Sequence, residues 1–290
     1  MRNTPRIVAV TTALAAVTAP LLALSSPAMA EQPAKTVQSA QNLPLSWLSL
    51  QGLTENAHLQ RIKQLLGTGY VPSALSVTNA ANPEYTSVWV KDATRKVNVL
   101  QDLSVTDLPK RITEQQALGF QPTMITGTGT GTGAIFAAVF EKTTRKLQSK
   151  TNLTKEALVT VNAQLGAAGY QISSLDVYGT AEKPLYTAVW AAGAVTGTLQ
   201  VTAGQTVEQR GRELLARAKQ GLGPVAMAVE PGKLYTTVWG KVANPTGLKE
   251  YLQLSSVTYK LKSLELKGLG YHPIITNVED NVYAGIWSKN

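Results

Sequence analysis

Two histidines, His58 and His272, are the only imidazoles in this 290-residue chain, and it contains no cysteine. Thiolate nucleophiles and cysteine-ligated metals are therefore excluded, and two histidines leave a zinc site short of ligands. A serine activated by a lysine one helical turn away requires Ser-x-x-Lys, yet no lysine here has a serine three residues before it. No Ser, His and Asp set is readable either, and His58, on an expected helix, and His272, beside Tyr271, read as surface or groove residues rather than bases. The carboxylates, Asp176, Glu279 and Asp280 among them, are too scattered to nominate an acid and base pair. The alternation from Gly127 to Gly133 misses the G-x-G-x-x-G spacing at Thr132, and no Gly-Lys-Ser/Thr follows, so it reads as a hairpin tip or extended strand. Neither a cofactor nor a metal is expected. What remains is recognition, for which the candidates are polar or aromatic groups near strand ends: Tyr178, Asp176, His272 and Asn277.

The elements that must position these residues announce themselves by repetition. Five segments of one character, Tyr85 to Trp89, Phe136 to Phe140, Tyr186 to Trp190, Tyr235 to Trp239 and Tyr283 to Trp287, recur every 48 to 51 residues. Self-similarity at such a period is the signature of a repeat architecture. Upstream of each lies a glycine (Gly69, Gly119, Gly169, Gly223, Gly270), placed where a helix must stop and a left-handed residue is needed. Thr54 and Thr154 fit as helix N-caps, and Thr206 with Gln209 as a capping box. Extended stretches follow each glycine, then a turn such as Asn82-Pro83 or Asp280-Asn281, then the aromatic strand. A Leu-Gln pair recurs before each helix, at Leu50, Leu100, Leu147, Leu199 and Leu252.

The expected fold is an α+β repeat of five helix-strand-strand units, about 46–97, 98–145, 146–197, 198–249 and 250–290. They are expected to form one curved, mainly antiparallel sheet, a half-barrel or ring, with helices on one side. Alternation sends Tyr85, Ser87 and Trp89 to one face and Thr86, Val88 and Val90 to the other. The aromatic face has two readings: a core layer under the helices, or an exposed ladder suited to sugars or an extended peptide. Phe136 and Phe140 discard the polar handles without harm to a core, which favours the first.

Residues 1–30 read as a secretory signal, with Arg2 and Arg6, an apolar run to Leu24 and an Ala28-Met29-Ala30 cleavage site, followed by a leader over 31–45. The expected location is periplasmic or extracellular, with no membrane span once the signal is cleaved. The net charge of +9 is dispersed, which argues against nucleic acid and leaves anionic polymers open.

The G-Y-x-P stretch at Gly69-Tyr70-Val71-Pro72, followed by Pro83-Glu84-Tyr85-Thr86-Ser87-Val88-Trp89, resembles the bacterial tandem repeat domain that precedes a β-lactamase-like serine hydrolase in secreted polyglycine hydrolases. The similarity spans roughly residues 47 to 290. It implies a non-catalytic module beside a hydrolase that helps engage a polypeptide. Unit two lacks the Tyr and Trp, and unit four carries Pro224 where the aromatic belongs. The expected function is thus an exported module binding an extended polymer, polypeptide or cell-wall glycan, in the trough of a curved sheet. The alternatives are an accessory or inhibitory subunit of a separate serine hydrolase, or a hydrolase assembled from several repeats.

Overall fold

The computed structural model describes residues 7–8, 46–193, 199–242 and 244–289. The expected signal peptide and leader lie outside the described residues, apart from Ile7 and Val8, which form a two-residue strand, β1 (Ile7–Val8).

Every unit runs strand, helix, strand, strand. The first comprises β2 (Trp47–Thr54), α1 (Glu55–Gly67), β3 (Tyr70–Thr78) and β4 (Glu84–Lys91). The second comprises β5 (Val97–Ser104), α2 (Asp107–Ala117), β6 (Phe120–Thr128) and β7 (Ile135–Lys142), and β1 pairs along the outer edge of β5. The third has β8 (Leu147–Leu153), α3 (Lys155–Ala167), β9 (Tyr170–Gly179) and β10 (Pro184–Ala192). The fourth has β11 (Gln200–Gln205), α4 (Val207–Ala218), β12 (Leu222–Glu230) and β13 (Leu234–Lys241). The fifth has β14 (Lys249–Leu254), α5 (Ser256–Gly268), β15 (Tyr271–Glu279) and β16 (Val282–Lys289).

The α+β repeat of five units stands, but its sheet is divided. Each unit makes its own antiparallel sheet, with the aromatic strand between the other two, and ladders stop at the unit boundary. The segment before each helix, read from sequence only as a Leu-Gln echo, is itself a strand, so both edges of the aromatic strand are used within the unit. The echo falls in one register in units one and two, another in three and four, and a third in five. What recurs in all five is a bulge whose extra residue takes the left-handed conformation: Gly52, Asp102, Asn152, Gly204 and Gln253, with φ between 52° and 68°. Four residue types share that role, which hid it in the sequence.

Helix starts follow local chemistry. Thr154 Oγ1 accepts from Ala157 N, Thr206 and Gln209 form a reciprocal capping box, and Ser255 with Thr258 forms another. Ser104 Oγ accepts from Asp107 N to start α2. Thr54 sits extended before α1 but makes no side-chain cap bond. Glycines at φ of 73° to 81° end the helices, as expected at Gly69, Gly119, Gly169 and Gly270; in unit four the residue is Gly221, two positions before the Gly223 read from sequence.

Helices lie between consecutive sheets. α1 places Leu59, Ile62 and Leu65 in one cluster with its own sheet and with Val97, Val99 and Val139 of the next. All ten motif aromatics (Tyr85, Trp89, Phe136, Phe140, Tyr186, Trp190, Tyr235, Trp239, Tyr283 and Trp287) are buried. The periodic rings are therefore the core of the repeat, and the exposed ladder, with the trough that it would have lined, is absent.

The inner strands β3, β6, β9, β12 and β15 neighbour one another in order, and β15 returns against β3, so the sheets stand as blades around one axis. Side chains latch backbone N–H groups across the junctions, because an inner strand's outward N–H has no partner in its own sheet. Val77 N donates to Thr126 Oγ1 at 3.1 Å, Gly127 N to Asp176 Oδ2 at 2.8 Å, Val229 N to Asn277 Oδ1 at 2.7 Å and Val278 N to Ser76 Oγ at 3.3 Å. The last of these closes unit five onto unit one. Trp47 adds to that seam, its Nε1 donating to Tyr271 O and its carbonyl accepting from Lys267 Nζ. Between units three and four, Ala228 occupies the latching position and supplies no acceptor.

A second ring of contacts reaches the bulges. Asp102 N donates to Tyr85 OH and Gln253 N to Tyr235 OH, both at 3.2 Å. Gly204 N goes instead to Glu230 Oε1 at 2.8 Å, which also accepts from Thr236 and Tyr186 hydroxyls. Phe136 has no hydroxyl for this purpose, and Tyr178 of the next blade stacks edge-on against it, its OH donating to Asn152 Oδ1.

One helix departs from the others on its outer face. α5 exposes Val257, Leu261 and Leu264, where α1 carries Asn56, Gln60 and Lys63. Among the described residues no helix is long and apolar enough to cross a membrane.

Candidate functional site

Among the described residues, inner strands and hairpin turns line two openings along the axis and a cleft beside it, and a further cleft of about 340 Å³ lies where α1 ends against the turn before β5. At the strand-start end a narrow cavity of about 70 Å³ is lined by all five inner strands, from Ser73 to Leu75 in the first and Ile274 to Asn277 in the last. It is stopped by polar side chains that cross the axis. Asn277 Nδ2 donates to Asp176 Oδ1 at 2.6 Å, and Thr126 Oγ1 donates to Asp176 Oδ2 at 2.9 Å. Burial pushes the Asp176 carboxyl up to about 7, against the three donors on it from Gly127 N, Asn277 and Thr126.

At the hairpin end a cavity of about 360 Å³ is bounded by the turns after β3, β6, β9 and β15. Its lining is oxygen-rich: Thr78, Thr128, Glu279, Asp280 and Asn281. Burial, then the Asp176 and Asp280 carboxylates, push Glu279 up to about 9.

On the other side of the glycine-rich hairpin, a cleft of about 380 Å³ lies between α2 and unit three. Leu108, Ile112, Phe136 and Leu185 give it an apolar wall, and Tyr178, Asn152 and Thr132 stand at its polar edge. The Gly127 to Gly133 stretch ends β6, makes one short turn (Gly131–Gly133) and enters β7. Gly127 is needed there because a Cβ would lie 2.7 Å from the Phe136 ring.

The four residues expected to bind are only partly brought together. Asp176 and Asn277 meet, but as buried members of the axial plug, each spent on a junction latch. Tyr178 is buried except for its edge of the apolar cleft. His272 is half-buried near the start of β15, at the far end of the strand from the hairpin turns, its imidazole lowered by burial.

His58 is neither on the surface nor in a groove. It is fully buried between units one and two, stacked on Tyr85 at 5.1 Å, with Nδ1 donating to Gln101 Oε1 and Nε2 accepting from Ser87 Oγ. Burial lowers it to about 4, against the pull of the Gln101 bond, so the ring is neutral at pH 7 and has no path to a substrate. Among the described residues no group of three His, Cys, Asp or Glu side chains is placed to hold a metal. Glu279, passed over in sequence as one of several scattered carboxylates, is the buried acid that lines the hairpin-end cavity, with Asp280 beside it at the turn. Its companions come from units one and two, and only the return of β15 to β3 makes them neighbours.

A family model described as "Polyglycine hydrolase-like, structural repeat" matches the chain at residues 44–92, 99–143, 144–192 and 246–290. The fourth unit falls between matches, yet its strands and helix repeat the pattern of the others. No curated protein matches the chain.

Proposed function

The chain belongs to the polyglycine hydrolase-like structural repeat family, and from that premise we propose that it is an exported, non-catalytic repeat ring that binds an extended polypeptide at its hairpin end. The observation that carries this reading is the apolar cleft beside Tyr178, which has hydrogen-bonding groups along one edge only. A concave, mainly apolar lining with a few placed polar groups suits a side chain of an extended peptide whose backbone runs along the polar edge. Glycan recognition would call for exposed ring faces, and the ten motif aromatics are all in the core.

The test is a peptide array together with cell-wall glycan fragments, read against two variants. Extended peptides, a Gly-rich one included, are expected to be retained. Val105→Asp, at the exposed lip of the cleft, should weaken retention about tenfold or more, equivalent to about 1.4 kcal/mol. Leu215→Asp, on the outer face of α4, should leave it unchanged. Retention of glycan alone, or peptide binding indifferent to Val105→Asp, rejects the reading.

The apolar face of α5 favours a second reading, an accessory or inhibitory subunit of a separately encoded serine hydrolase. Co-elution with such a hydrolase that Leu261→Asp abolishes would support it; peptide binding without any partner at the same concentrations would not.

A further inference from the structure

In the hairpin-end cavity three side chains occupy the same position on different inner strands: Thr78 in unit one, Thr128 in unit two and Glu279 in unit five. They are 7 %, 3 % and 6 % exposed, and none makes a side-chain hydrogen bond or ion pair with a described residue. Their residues are nearly covered, yet their oxygens open onto the cavity and are left for whatever fills it. The same position in units three and four is satisfied. Tyr178 reaches Asn152, and Glu230 accepts from Gly204 N and the hydroxyls of Thr236 and Tyr186. In unit five the hydroxyl that would satisfy Glu279 is missing, since Ala284 stands where unit four has Thr236.

Around these three lie Asp280, one of whose carboxylate oxygens accepts from Gly232 N, and Asn281. The donors are carboxylate, hydroxyl and amide oxygens, with no imidazole or thiol among them. Such a set suits a hard cation with many oxygen ligands rather than a transition metal. We propose that the hairpin-end mouth of the axis binds one hard divalent cation, of the calcium class, with Glu279 and Asp280 as charged ligands and Thr78 and Thr128 as neutral ones. This site is separate from the apolar cleft and does not depend on peptide binding there. It would join units one, two and five on the unit-five-to-unit-one seam, adding stability to a ring that closes there through one latch at the hub, the hydrogen bond from Thr86 Oγ1 to Tyr283 OH and the contacts of Trp47.

The experiment is calorimetric titration of the full chain with CaCl2 at pH 7.5, with thermal unfolding followed in parallel. One ion per chain and a calcium-dependent rise in Tm are expected. Glu279→Gln keeps the shape, removes a ligand charge and should lose at least tenfold in affinity. Asp280→Asn, at the exposed turn, should weaken binding as well. Absence of binding at millimolar calcium by the folded wild type, binding unchanged in Glu279→Gln, or uptake of methylammonium in preference to calcium would each overturn the proposal.

Discussion

Glu250→Gln is expected to destabilise the protein by about 3–5 kcal/mol, the cost of leaving a buried guanidinium without its counter-charge. Arg210 is fully buried between α4 and unit five, over the Trp239 ring at 4.2 Å, and its Nη2 donates to Glu250 Oε2. Its Nε and Nη1 have no hydrogen-bond partner among the described residues, and Glu250 is the carboxylate in direct contact with it, with Glu213 adding a weaker, more distant attraction. Burial lowers Arg210 and raises Glu250, while each opposes that shift in the other. The same junction position holds His58, Leu108, Leu158 and Tyr259 in the other units, all buried, so a charge is no requirement of the fold. The double variant Arg210→Leu with Glu250→Val copies the unit-three junction, where Leu158 faces the strand bearing Val201. It should return to within about 1–2 kcal/mol of wild type or exceed it, because a buried ion pair seldom outperforms well-packed apolar residues. Urea unfolding of the three proteins settles the point: a single variant as stable as wild type means that the pair is solvated and not a junction element.

Trp190→Ala should cost about 3–5 kcal/mol, through both the cavity and the lost ring. Trp190 is fully buried, its Nε1 donating to Asn162 Oδ1 at 3.1 Å, while Asn162 Nδ2 passes the connection to Leu199 O in unit four. Trp190→Phe separates the terms. It keeps most of the ring and strands the Asn162 acceptor, for about 1–3 kcal/mol. Unit two supports this, since Phe140 stands there with Ile112, rather than an amide, at the position of Asn162. Adding Asn162→Ile to Trp190→Phe should recover most of the loss. Equal destabilisation by the Phe and Ala variants would mean that the hydrogen bond, and not burial of the ring, dominates this layer.

The repeat was legible because its core aromatics are nearly invariant from unit to unit and sit on a fixed face of the strand. The choice between half-barrel and ring was not legible, because the latching position is filled by Ser76, Thr126, Asp176, Ala228 and Asn277, residues with no common pattern except, in four of the five, an acceptor oxygen. The third strand was hidden for a similar reason: its identifying feature is a backbone conformation that Gly, Asp, Asn and Gln all adopt. At the candidate site, Asp176, Asn277 and Tyr178 were singled out as polar or aromatic groups near strand ends, and the fold does gather them near the axis. Their side chains, however, are largely taken up by protein partners. Glu279 could be recognised only from Ala284 on the adjacent strand, a pairing that appears once the register is known.

Cavities along the axis exist only if unit five meets unit one, so ring closure is the claim on which the functional reading rests. Amide hydrogen exchange at Val278 tests it most directly, because this N–H points away from β16 and its acceptor is Ser76 Oγ across the seam. The closed ring predicts protection at Val278 of the same order as at Val77 and Val229, whose acceptors lie across the first and fourth junctions. Exchange at Val278 as fast as in an unstructured peptide, with Val77 and Val229 still protected, would show five blades in an open array and contradict the account.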